Sequence, residues 1–202
     1  MTVNVALAQL EQRSAGAVSL PAPIEVEQLP TPALVLDRAI LESNIEKMRE
    51  HLGAHGKGFR PHAKTHKCPI ISRLQMEAGA VGVCAAKVSE AAALLLGGVE
   101  QILITSPLAT ASKVAVLNEL LMRGGELYLV VDSLHGLKLL EDGLSPDVCL
   151  GVLVDLDLSM GRTGLRDEQV MLQIVDKLHE DPRFHFVGIQ HYAGHIMHIA
   201  DY

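Results

Sequence analysis

From Thr31 onward, short runs of Val, Leu, Ile and Ala alternate with longer segments whose apolar residues recur three and four positions apart. The first texture predicts strands and the second predicts helices. Ala33-Leu34-Val35-Leu36 reads as a strand leading to Asp37, and Ile40, Leu41, Ile45 and Met48 then fall at helical spacing, with Gly53 placed to end that helix. A strand is expected over residues 58–64, although Pro61 restricts it to a place where a ladder donor can be missing. Further strands are expected at 80–84, 101–105, 127–131, 148–156 and 185–190, and helices at 68–77, 88–96, 110–122, 133–140 and 166–179. Several of the strands are continuous β-branched or Leu runs, as befits strands buried on both faces.

Strand–helix alternation at this spacing means βαβ units and a parallel sheet with right-handed crossovers. About six such strands are expected before Tyr202, whereas a closed (β/α)8 barrel takes eight strands and typically ~250 residues. A doubly wound sheet would accept six, but no GxGxxG follows the first strand and no GxxxxGK[ST] is present. The pattern therefore favours an α/β fold built as an unfinished barrel. Residues 1–30, with Pro21, Pro23 and Pro30, read as a leader, and residues 31–202 as the partial barrel domain.

Composition narrows the function classes. The 202 residues carry 17 Lys+Arg against 24 Asp+Glu, a formal net charge of −7, which disfavours an electrostatic nucleic-acid binder. Aromatics at 3% with no Trp make a base-stacking platform a poor fit. The scattered cysteines Cys68, Cys84 and Cys149 form no CxxC pair and suit a reducing compartment. No apolar stretch reaches the roughly 18 residues of a membrane helix, and Asn4 and Gln9 interrupt the N-terminal apolar run, so the expected location is cytoplasmic.

Reactive groups of parallel α/β folds belong at the C-terminal ends of strands, and polar residues gather at three such ends. The first is Arg60-Pro61-His62-Ala63-Lys64-Thr65-His66-Lys67. Like charges around Lys64 would lower its pKa from a model value of ~10.4 toward use as a nucleophilic amine; the plain alternative is a solvated basic rim. The second is Asp155-Leu156-Asp157 followed by Arg162-Thr163-Gly164, where a Gly-flanked loop lets a guanidinium approach a planar ligand; a structural ion pair of Arg162 is the alternative. The third is Gln190-His191-Tyr192-Ala193-Gly194-His195 with His198. His191, His195 and His198 could ligate zinc on a helix, or join a mixed catalytic cluster, or serve structural hydrogen bonds.

Taken together, Thr31–Asp37, Arg60–Lys67, Gly82-Val83-Cys84 with Lys87–Ala91, Asp155-x-Asp157…Arg162-Thr163-Gly164 and Gly188-Ile189-Gln190-x-Tyr192…His198 resemble the D-threonine aldolase family. That family belongs to the alanine racemase-like, fold-type III pyridoxal 5′-phosphate (PLP) enzymes, with D-3-hydroxyaspartate aldolase and D-serine dehydratase as relatives. The resemblance implies a PLP-binding TIM barrel of the alanine racemase N-terminal type, about six of its eight strands present and the C-terminal β-domain absent. It implies that Lys64 bonds covalently to PLP, that Arg162 lies against the pyridine nitrogen, that Tyr192 contacts cofactor or substrate, and that His198 stands beside the substrate β-hydroxyl. His66 and Gln190 are implied to shape the cofactor site.

The implied reaction is retro-aldol cleavage of a D-β-hydroxy amino acid, D-threonine giving glycine and acetaldehyde, with a divalent metal (Mn, Mg or Zn) as Lewis acid. The metal ligands and phosphate-binding loops of the family are not among these residues, so an N-terminal fragment without substantial activity of its own is expected, from an enzyme that is a homodimer at full length. D-serine dehydration and D-3-hydroxyaspartate cleavage are the related alternatives. A non-catalytic PLP-binding homeostasis protein, and a metal hydrolase using His191, His195, His198 and Asp157, are the alternatives of other classes.

Overall fold

The computed structural model describes residues 24–200. Most of the expected leader therefore lies outside the described residues; of its last seven, Val26–Gln28 form one 3-10 turn. The elements that follow are α1 (Arg38–Ala54), α2 (Pro69–Glu77), β1 (Val83–Ala85), α3 (Val88–Leu96), β2 (Ile102–Ile104), α4 (Ala111–Met122), β3 (Leu127–Val131), α5 (Leu134–Gly143), β4 (Leu150–Leu156), α6 (Glu168–Glu180) and β5 (Phe184–His191). The five strands form one parallel sheet in the order β1-β2-β3-β4-β5. Sequential order with a helix between successive strands is the winding of a (β/α) barrel, and it puts every strand's C-terminal end on one rim.

The helices start where side chains can satisfy free backbone donors. Asp37 accepts from Ile40 N at 2.9 Å, Ser133 from Gly136 N at 3.1 Å, and Asp167 from the N–H groups of Gln169 and Val170. Between sheet and helices lies a continuous apolar layer that includes Leu94, Ile102, Ile104, Leu117, Leu129, Leu137, Val152, Val154 and Ile174, all 1% exposed or less. Burial of this layer, worth roughly 1.5–3 kcal/mol per large side chain, is what sets the sheet under the helices. Arg183 fastens the start of β5: its guanidinium donates to the carbonyls of Glu141 and Leu144 at 3.0 and 2.7 Å and grips Asp181 with two nitrogens.

Two expected strands take other forms. Residues 33–36 form no strand, and Leu34, Val35 and Leu36 stand exposed. Residues 58–64 contribute a single parallel bridge, His62 to Cys84, before a 3-10 turn at Ala63–Thr65. Pro61 has no N–H to donate, so only its carbonyl joins, accepting from Cys84 N at 2.8 Å. The sixth strand place is thus held by one residue. In the β4–β5 pair the register slips by one: Val152 pairs with Phe186 but Leu153 with Gly188, leaving Val187 as an extra residue in β5.

Among the described residues no helix is long and apolar enough to cross a membrane.

Candidate active site

Three strand ends on the same rim bring their polar residues together. The turn after His62 carries Lys64, the loop from β4 to α6 carries Arg162, and the segment after β5 carries Tyr192. Lys64 Nζ lies 5.9 Å and Arg162 Cζ 4.5 Å from the centroid of the Tyr192 ring. Two cations from separate strand ends thus face one electron-rich ring, which attracts both through its quadrupole. The ring is aimed by Gly194, since a Cβ there would stand 2.5 Å from the Tyr192 Oη and force the phenol to move.

The Arg162 loop is anchored from beneath. Asp155, 2% exposed near the end of β4, accepts from Thr163 Oγ1 at 2.9 Å and from Gln190 Nε2 at 3.0 Å. One carboxylate therefore ties the residue next to Arg162 to the residue two before Tyr192. Asp157 accepts from Met160 N and Gly161 N and pairs with Arg166, whose hydrogen bond, followed by that of Gly161, holds its carboxyl below the usual carboxylate range. The ion pair weighed for Arg162 is made by Arg166 instead. Arg162 itself is an exposed residue with no carboxylate partner among the described residues.

The other strand end is less crowded with charge than its composition suggests. Burial, and next the nearby Lys64 charge, hold the His62 imidazole below its ordinary value; burial does the same to His66. Arg60 turns away, donating to the Gln101 carbonyl and lying 5.2 Å over the Tyr128 ring. Two of the five groups that could be cationic are thus uncharged at neutral pH, and a third is engaged elsewhere. Burial also pushes the Cys84 thiol up to about 11, and the thiol donates to the Arg60 carbonyl, so it is no nucleophile.

The remaining expected residues divide. Gln190 joins the cluster through Asp155. His66 faces its own chain: its Nδ1 accepts from Cys68 N at 3.1 Å, and its half-buried ring lies beside the Gln75 side chain. His198 ends the exposed 3-10 turn Gly194–His198. That short turn replaces the helix on which His191, His195 and His198 would have lined up. Among the described residues no three His, Cys, Asp or Glu side chains gather as a metal ion requires. Residues that the sequence did not single out also enter: Thr105 at the end of β2 meets His62 Nε2 at 3.1 Å, and Asp132 after β3 accepts a long 3.4 Å bond from Gly164 N. Their position at strand ends was the available signal.

Residues 36–201 match the family model described as alanine racemase, N-terminal domain. The chain is 32% identical over 194 residues to a D-threonine aldolase from Arthrobacter sp., covering 94% of this chain and 51% of that protein. It is 34% identical over 181 residues to a 3-hydroxy-D-aspartate aldolase from Paracoccus denitrificans, covering 89% of this chain and 47% of that one. The crystal structure of D-threonine aldolase from Filomicrobium marinum superposes with a TM-score of 0.81 at 30% identity, over 89% of this chain and 50% of that chain. The chain spans about half the length of the curated relatives it matches.

Proposed function

Because the chain belongs to the alanine racemase N-terminal domain family, whose fold-type III members are PLP enzymes, we propose that it supplies the cofactor-holding residues of a PLP-dependent lyase acting on small D-β-hydroxy amino acids, with D-threonine the leading candidate. The observation that carries this reading is the convergence of Lys64 and Arg162 on the Tyr192 ring from three separate strand ends.

The residues fit a planar, anionic aldehyde. Lys64 offers a primary amine within reach of an aromatic face, and Arg162 offers a permanent cation without a carboxylate partner among the described residues. In this reading Lys64 would hold the cofactor through its amine, and Arg162 and Tyr192 would help to bind it. Bound PLP would supply the conjugated electron acceptor that makes the substrate Cα–Cβ bond breakable. His198 would take the proton from the substrate β-hydroxyl, a task suited to an imidazole near neutral pH. Gln190 would shape the site through its hydrogen bond to Asp155.

The test is chemical. The chain is incubated with PLP, reduced with borohydride and mapped by peptide mass spectrometry. A pyridoxyl label on Lys64, lost in Lys64→Ala, supports the reading; a label centred on another lysine, or none, overturns it. Substrate choice is read separately, by following glycine and aldehyde from D-threonine and D-3-hydroxyaspartate against ammonia and keto acid from D-serine.

A further inference from the structure

His62 stands two residues before Lys64 and is hydrogen-bonded at both ring nitrogens. Its Nδ1 accepts from the backbone N–H of Lys64 at 3.3 Å. A backbone N–H can only donate, so Nδ1 must carry the lone pair. The ring proton of the neutral imidazole then sits on Nε2, which meets Thr105 Oγ1 at 3.1 Å. The Thr105 hydroxyl in turn donates to the Ala85 carbonyl at 3.2 Å. Every proton in this chain has one direction: Lys64 N–H to His62, His62 Nε2–H to Thr105, Thr105 O–H to the carbonyl at the end of β1. The imidazole reaches past β1 to β2, so two strand ends hold the backbone of the lysine turn.

We propose that His62 is a positioning residue for Lys64, acting as a neutral Nε2–H imidazole that fixes the backbone from which the lysine side chain leaves the rim. The proposal rests on the reading of Lys64 as the cofactor-bonding amine. The turn has few other restraints: Thr65 Oγ1 donates to the His62 carbonyl, and the N–H groups of His66 and Lys67 go to Ala63 O. Protonation of Nδ1 would set two donors against each other and release the Lys64 N–H. The groups facing the ring are the Lys64 ammonium on its own turn, which opposes protonation, the Glu90 carboxylate of α3, which favours it, and the Cys84 backbone on β1.

Two measurements test this. Long-range 15N–1H correlation of histidine-labelled chain is expected to show His62 as the Nε2–H tautomer at pH 7, with Thr105→Val shifting that signal and leaving the exposed histidines unmoved. Borohydride trapping of PLP on Lys64 is expected to fall about three- to tenfold in His62→Gln, whose amide cannot present an acceptor at the δ position, the range of one lost hydrogen bond. His62→Asn, with Oδ1 in the Nδ1 place, is expected to restore trapping to within about twofold. An Nδ1–H tautomer or a charged His62 at pH 7 overturns the proposal, as does trapping equal in the Gln and Asn variants. A label on another lysine in the unsubstituted chain overturns the Lys64 reading first, whereas a correct label with the wrong tautomer overturns only the role of His62.

Discussion

Substituting Gly164 with Ala attacks the Arg162 loop without touching a charged group. Gly164 has φ +104°, and a Cβ built on it would stand 2.5 Å from Asp157 N and from Leu156 C, and 2.9 Å from Leu156 O. These are backbone atoms of the bridge between Leu156 and Leu165, closed by Asp157 N–H to Leu165 O at 3.0 Å and Leu165 N–H to Asp155 O at 2.8 Å. They cannot swing aside as a side chain would. The strained backbone costs about 1–3 kcal/mol, and parting the bridge loses two hydrogen bonds at about 1 kcal/mol each, so a destabilisation of about 3–5 kcal/mol is expected. Gly161→Ala is the internal control: its φ is +66°, but the nearest atom to the added Cβ is Arg166 Nη2 at 3.7 Å. Only the left-handed backbone is penalised there, at about 1–2 kcal/mol. Urea unfolding followed by far-UV circular dichroism gives both values, provided the m-value is unchanged. If the two variants lose the same stability, the close approach of the 164 backbone to residues 156 and 157 is not what holds this loop, and the geometric reasoning fails.

Asp155→Asn replaces one acceptor with a donor that faces the hydroxyl of Thr163 or the amide of Gln190; a loss of about 1–3 kcal/mol in unfolding free energy is expected, together with weaker retention of PLP measured by absorbance titration. The pH dependence has a definite sign. His62 and His66 both titrate below their ordinary value when folded, so the unfolded chain binds protons first, and stability present above ~6.5 is expected to decline as pH falls below it; flat unfolding midpoints between pH 7 and 5 would contradict this.

The cadence of the fold was legible because it depends on side-chain periodicity alone. The helix over 88–96 and the strand over 127–131 occur with the bounds the pattern predicts. Where a strand depends on its neighbour, periodicity was not enough: Leu34 and Val35 have the right residues but no ladder beside them. The site divides on the same ground. Lys64, Arg162 and Tyr192 are readable as motifs at strand ends, but their shared ring face is set by which strand ends adjoin. Thr105 and Asp155 act through hydrogen bonds to residues 43 and 35 positions distant, a relation no local pattern records. Arg166 rather than Arg162 pairs with Asp157 for the same reason: two arginines in one loop look alike until the backbone places them.

The extra residue Val187 works as a phase shifter. Paired residues of neighbouring strands share a side of the sheet, and each position along a strand alternates sides. With the slip, Ile189 pairs with Val154 and Gln190 with Asp155. Were Val187 instead taken into the ladder and the earlier register continued, Ile189 would come opposite Asp155 and Gln190 opposite Leu156. An aliphatic group would then confront the carboxylate, and the amide would be carried to the far side. The same composition, counted one place differently, would leave the Tyr192 end of the rim with nothing to fasten it.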